Sequence, residues 1–355
     1  VLTGIVTVIL TLLSMISMAK VLHLMNTPSD MYGEAYGYIM VICGGIVAQA
    51  LYNYLASVLR ALGDSKRPLY FLVIAALLNI VLDLVFIIVF RMGAAGAAYA
   101  TVIAQGISAV CCLIYIVKRF PILHLERKDF EICWDSFGRL LKLGIPMGLQ
   151  FSITAIGTII VQSAVNIYGP VHMAGFSAAG KIQNIFATVF TAFGATIATY
   201  VGQNRGAGKM DRVKQGVRYT QMMVLGWSVF VMFLMFFFGK YLTYLFVDPS
   251  EQDVVNVSVT YFRTVFWAYP FLGSIFLYRN TLQGMGYGLV PMLGGVFELV
   301  ARTGIVVLIA GHTSFAGVCM ADPTAWIAAL IPLIPYYFHV MKKYKNKSQV
   351  QAVED

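Results

Sequence analysis

The ten residues LRALGDSKRP, from Leu59 to Pro68, return 223 positions later as LQGMGYGLVP, from Leu282 to Pro291. At nearly the same spacing, GAAGAAYATVIAQ (Gly93–Gln105) lies over SFAGVCMADPTAW (Ser314–Trp326). The opening VLTGIVTV resembles VLGWSVFV, Val224 to Val231. A repeat of this length decides the architecture before any local motif does. The chain reads as two copies of one plan, the first of them shorter.

Composition says where those copies reside. Of 355 residues 59% are hydrophobic and only 12% charged, and mean hydropathy is +0.78. A soluble domain carries about 25% charge. A bilayer core needs about 20 apolar residues per spanning helix. Such runs fall at 3–19, 35–58, 69–90, 95–117, 139–168, 172–201, 219–239, 254–283, 290–310 and 314–341. The alternating pattern of a membrane barrel strand is absent from them. The expectation is an all-α polytopic membrane protein with about ten transmembrane helices. Six spans separate each segment from its copy. An even number preserves orientation, so the repeats are parallel. Arg139 to about Met223 of the second copy would match sequence preceding Val1, so the full plan has twelve helices. The expected division is a four-helix N-terminal lobe at 1–118, a connector at 119–138, a six-helix C-terminal lobe at 139–345 and a polar tail at 346–355. Pro121 should stop the helix before the connector, whose mixed apolar and charged residues suggest an interfacial amphipathic helix.

A net charge of +9 invites nucleic acid, but its placement argues otherwise. Alternate connectors gather the basic residues: Arg60, Lys66 and Arg67; Lys118 to Lys142; Arg205 to Arg218; and the C-terminal lysines. The intervening ones hold only Lys20, Arg91 and Lys240. That is the positive-inside bias. It predicts an inner (plasma) membrane protein with a cytoplasmic C-terminus, whose partners are the bilayer and a small molecule rather than nucleic acid, and which acts as a monomer. The five cysteines lack metal-ligand spacing. GQNRGAGK (Gly202–Lys209) fails as a phosphate loop, because Met210 stands where Ser or Thr belongs. No catalytic constellation appears, so an enzyme is not expected, nor any cofactor beyond a coupling ion.

Ionisable and amide side chains inside apolar spans cost about 2.5–3.5 kcal/mol when charged, so each needs a role or a partner. Asp83 has Asn79 one turn earlier. Glu298 and Arg302 are four apart, on one helix face, and form either an ion site or a self-neutralising pair. Gln150, Thr154, Thr158, Gln162 and Asn166 recur every four residues, as a lining stripe or as glue between helices. Tyr261, Trp267 and Tyr269 offer aromatic faces to an organic cation. Arg263 and Lys181 read as the other cations within spans. Pro270, Pro332 and Pro335 should break or kink their helices.

LRALGDSKRP, LLNIVLDLVFI (Leu77–Ile87), GAAGAAYATVIAQ, LGIPMGLQ (Leu143–Gln150) and GQNRGAGKMDR (Gly202–Arg212) together resemble the multidrug and toxic compound extrusion (MATE) family, in order and across essentially the whole chain. The resemblance implies two six-helix lobes forming a V-shaped cleft. It also implies an antiporter that exports small organic cations or drugs in exchange for H+ or Na+. Sodium-coupled relatives carry an acid eight residues after the proline of GxP; here that position is Thr154. The segment matching their tenth helix, Ser258–Leu282, contains no acid either. Two alternatives stay open: a lipid-linked oligosaccharide flippase of the same general fold, which would need a basic cleft for pyrophosphate, and an inactive fragment.

Overall fold

The computed structural model describes residues 1–24, 29–123, 133–309 and 315–354. Backbone amides in hydrocarbon must be satisfied within the segment, which leaves helices as the open-chain solution. The apolar runs obey that rule. In order they form α1 (Leu2–Leu24), α2 (Ser29–Ala61), α3 (Lys66–Leu84), α4 (Gly93–Arg119), α5 (Trp134–Asn166), α6 (Pro170–Gly206) and α7 (Met210–Thr243). There follow α8 (Gln252–Val265), α9 (Tyr269–Gly284), α10 (Leu289–Ile309), α11 (Phe315–Cys319) and α12 (Ala321–Glu354). Among the described residues, nine spans are long and apolar enough to cross a membrane. The tenth expected span is split into α8 and α9 by one 3-10 turn, Phe266–Ala268.

The chain divides into two compact units, Val1–Phe137 and Gly138–Asp355. In the first, α2 packs along α4, with α3 on α4 and α1 on α2. In the second, α10 packs along α12, while α6, α7, α8 and α9 pack on one another around a large apolar core.

The internal repeat holds at the level of backbone. Helix α2 begins at Ser29 and ends at Ala61; 223 residues on, α8 begins at Gln252 and α9 ends at Gly284. The turns that follow place Gly63 at φ +90° and Gly286 at φ +79°. This left-handed conformation is open to glycine and costly for L-residues. On α4 and α12 the matched positions, 221 apart, are buried alike: Ala100 with Ala321, Ala104 with Ala325, Cys112 with Leu333 and Ile116 with Tyr337. In the first unit the turn after α2 is fastened to α4. The Tyr115 hydroxyl donates to Asp64 Oδ2 at 2.9 Å, and Asp64 Oδ1 accepts from the Arg67 amide at 3.1 Å.

Prolines act unequally. Pro270 sits in the first turn of α9, directly after the 3-10 break, where its missing N–H is no loss. By contrast, α12 runs unbroken through Pro332 and Pro335, so of the expected break or kink there a break is excluded. The part of the connector described after residue 132 is already the first turn of α5, because nothing between Trp134 and Ile145 interrupts helix. Residues 124–132, which include the first part of the expected interfacial helix, lie outside the described residues. The polar tail continues α12 as helix to Glu354.

Close approach of helices is set by glycine in several places. A Cβ on Gly284 would come within 2.5 Å of the Ala198 carbonyl oxygen, so α9 and α6 touch backbone to backbone, as small residues allow in membranes. Three alanine substitutions separate these causes. Gly63→Ala meets no neighbouring atom and should cost roughly 1–2 kcal/mol through backbone strain alone. Gly284→Ala should cost more, through the Ala198 clash. Gly180→Ala, in open space on α6, should stabilise by about 0.5–1 kcal/mol. Thermal midpoints in detergent check the order.

Candidate functional site

The second unit contains a chain of largely buried polar side chains drawn from five helices. Arg302 on α10 places NH1 3.0 Å from Glu298 Oε1 and NH2 3.2 Å from Asp322 Oδ1 on α12. The other oxygen of Glu298 lies 3.3 Å from Arg279 NH2 on α9. The other oxygen of Asp322 accepts from the Tyr261 hydroxyl on α8 at 2.7 Å. The Gln183 side chain of α6 contacts that same hydroxyl. Side-chain exposures of 5% for Arg302 and 6% for Glu298 put the pair out of reach of solvent screening. Two guanidinium groups and two carboxylates balance to zero. That balance is what makes the set tolerable, since an unpaired buried charge costs several kcal/mol.

Local sequence explains how the set assembles. Glu298 and Arg302 share a face because they are four apart on one helix. Gly157 of α5 lets the Arg302 guanidinium lie flat against it: a Cβ there would stand 3.2 Å from NH1 and 3.3 Å from Cδ. Gly295 does the same for Gln150, whose Cγ would be 3.3 Å from an added Cβ. Gln150 Oε1 in turn accepts from Gln283 Nε2 at 3.1 Å.

The expected site residues are therefore not equivalent. Glu298 and Arg302 are joined, but inside a set of four charges rather than as an isolated pair. Tyr261 is fully buried and hydrogen-bonded to Asp322, so it is a ligand of the network and not an open aromatic face. Trp267 is 37% exposed and stacks edge-on with Phe271. The stripe on α5 divides. A repeat of four advances about 40° around the helix at each step, so one face cannot hold all five. Gln150 is buried. Thr154 buries its hydroxyl with no hydrogen-bond partner, Gln162 donates to Asn166 at 3.0 Å, and Thr158 bonds back to Ala155. Lys181 and Arg263 are exposed; Arg302 is buried and Arg279 nearly so, at 11% side-chain exposure. Sequence reasoning missed Arg279, Asp322, Gln183 and Gln283. The first two had a usable signal, since each is an ionisable residue inside an apolar run.

The first unit holds the other candidates. Asn79 Nδ2 and Asp83 Oδ1, one turn apart on α3, are buried without a hydrogen-bond partner. Immediately after Leu84 the helix widens into a π segment, Val85–Val89. Such bulges often accompany functional sites. On α4, Gln105 Oε1 and Ser108 Oγ are likewise buried and unpartnered.

A family model described as MatE matches residues 1–85 and 146–330. The chain belongs to the MatE family. The probable multidrug resistance protein YpnP of Bacillus subtilis is 36% identical over 75% of the chain, which spans 59% of that relative's length. YoeA of the same organism, also a probable multidrug resistance protein, is 25% identical over 97% of the chain and 76% of its own length. Among solved structures, an outward-facing multidrug resistance MATE transporter aligns with a TM-score of 0.90 at 21% identity, over 97% of this chain and 77% of that one. The multi-pass helical MatE fold is thus shared by sequence and by structure.

The geometry sets which compensation to expect in this network. Glu298→Gln strips Arg279 of its carboxylate partner, whereas Arg302 retains Asp322. We expect a loss of about 3–5 kcal/mol, typical of a broken buried pair. Adding Arg279→Gln should restore more of it than adding Arg302→Gln. Thermal unfolding of the single and the two double variants measures this; equal recovery would place the imbalance elsewhere.

Proposed function

We propose that this chain is the bulk of a secondary active antiporter of the inner (plasma) membrane. It exports small organic cations or drugs in exchange for H+ or Na+ by alternating access. The observation that carries the coupling is the pair Asn79 and Asp83, half-buried on an apolar helix, with the Asn79 Nδ2 and Asp83 Oδ1 atoms buried and without hydrogen-bond partners. A buried acid lacking a counter-charge is held in place by what it binds transiently, a proton or a small cation. The relatives named as multidrug resistance proteins support the export of drugs. One charge moving down 100 mV releases about 2.3 kcal/mol, enough for roughly a fifty-fold gradient of substrate.

The flippase reading requires free cations for pyrophosphate. Both buried arginines of the second unit are engaged by carboxylates, which supports the antiporter instead. The positive-inside bias supports a cytoplasmic position for the loops at Arg67, Lys209 and Lys343, and an external one for the loop at Asp248.

Two measurements test this reading. In vesicles holding the full-length protein, Asp83→Asn should abolish gradient-driven dye export while leaving fold and substrate binding intact, because it removes titration and ion affinity but adds no charge to the membrane. Wild-type export at matched protein level would remove Asp83 from coupling. For orientation, a single cysteine at position 209 should resist an impermeant reagent added to intact cells, and one at position 248 should react. The reverse pattern overturns the topology.

A further inference from the structure

Away from the buried charges, the second unit has a cavity of about 340 Å³ between α7, α9 and α12. Helix α7 supplies Lys214, Val217, Arg218, Gln221 and Met222, positions i, i+3, i+4, i+7 and i+8 of one helical face. Val217 and Tyr337 form its buried floor, while Lys214, Arg218, Met222 and Phe338 are exposed at its rim. The first unit has the same notch. The cavity there is lined in part by Leu55, Ile116 and Val117, which the 223- and 221-residue registers set against Tyr278, Tyr337 and Phe338. Two apolar positions of the first copy are thus tyrosines in the second.

We propose that the slot between α7, α9 and α12 binds an acidic phospholipid of the surrounding bilayer. Its chemistry changes in the order of such a molecule. Lys214 and Arg218 come first, one turn apart, and suit a phosphate. Gln221 follows about 4.5 Å farther along α7. Its Nε2 donates to Ser274 Oγ at 3.1 Å and keeps a second hydrogen for an ester carbonyl. Tyr278 and Tyr337, with ring centroids 5.3 Å apart, bring two hydroxyl donors that have no hydrogen-bond partner among the described residues. Met222 and Phe338 then give the exposed rim an apolar surface for an acyl chain. Charge selects the acidic lipid. Lys214 and Arg218 form no ion pair among the described residues, although Asp211 precedes Lys214 by three positions. Lys342 and Lys343, next to Met341 of the lining, carry the same sign. Like charges one turn apart repel, and an anion between them relieves that repulsion. The same pair repels an organic cation, and a free phosphate would leave the tyrosines and the apolar rim unused. The assignment rests on the membrane-spanning fold and not on the role of Asp83.

Native mass spectrometry of the purified full-length protein, titrated with defined lipids, tests this. Phosphatidylglycerol should bind more tightly than phosphatidylcholine of the same chains, and inorganic phosphate should not displace it. Lys214→Gln with Arg218→Gln should weaken phosphatidylglycerol roughly 25-fold, about fivefold for each charge removed. Lys209→Gln with Arg212→Gln removes the same charge from exposed positions of the same end outside the slot, and should change binding little. Arg218→Lys, which keeps the charge, should retain the lipid. Equal losses in the two double variants would reduce the effect to the general attraction of a basic surface and overturn the proposal. Equal affinity for the two lipids overturns it as well. So does displacement by inorganic phosphate, which would make the slot an anion site, or by ethidium, which would make it a drug site. Should the Lys214 and Arg218 double variant lower the thermal midpoint in lipid-free detergent, the two single variants carry the test. Each is expected to lose about fivefold, and no loss in either refutes the site.

Discussion

Four charges in the second unit must sum to zero where no water can screen them, and much else is arranged around that condition. Arg302 and Glu298 are tied by helix geometry, but Arg279 and Asp322 reach them from α9 and α12. Each helix is thereby fixed in rotation and depth against α10. Apolar packing alone would hold these helices less specifically, since lipid tails compete equally for leucine and valine. The network also dictates where side chains must be missing. Gly157 and Gly295 leave room for Arg302 and Gln150, so the polar chain lies within packed protein rather than at its edge.

The two copies differ most where charge differs. Helix α2 is continuous, whereas its counterpart is divided at Phe266–Ala268. Tyr261 and Arg279 stand on either side of that division. Eighteen residues make about five full turns, so an unbroken helix would point both side chains the same way. Three residues in the tighter 3-10 form rotate the second half by roughly 60° more. Tyr261 then meets Asp322 on α12, and Arg279 meets Glu298 on α10. The first copy has no such pair to aim, and Ala56 occupies the position of Arg279.

The sequence exposed the fold in proportion to how local each cause was. Apolar length announced the spans, and the repeated turn around Gly63 and Gly286 announced the parallel copies, because a positive φ leaves a glycine behind at each return. The break in α8–α9 was legible through Pro270. Pro332 and Pro335 do not end α12, since a proline inside a span can be absorbed when neighbouring helices satisfy the freed carbonyls. The site was only half legible. An i,i+4 pair such as Glu298 and Arg302 declares itself. Contacts between residues 298 and 279, or 302 and 322, depend on which helices are neighbours. The stripe from Gln150 to Asn166 read as one surface because spacing by four looks like a face over two turns; over five it winds away.

Asp83 and Asp322 show how one plan can hold two electrostatic solutions. Both are acids in the last two helices of their copies, Asp322 buried and Asp83 with one oxygen buried, and burying an acid alone is costly. In the second unit the cost is offset within the chain, by guanidinium groups that never leave. In the first the chain supplies no basic residue one turn away, which is why Asp83 is the proposed coupling acid. A transporter needs such an acid somewhere, because a ligand shifts a conformational equilibrium only by its differential affinity for the two states. An acid already saturated by an arginine has no such difference to offer. At the repeat position of Asn79 the second copy carries Arg302, and that one difference in charge accompanies the whole difference between the polar side chains around Asp83 and those around Asp322.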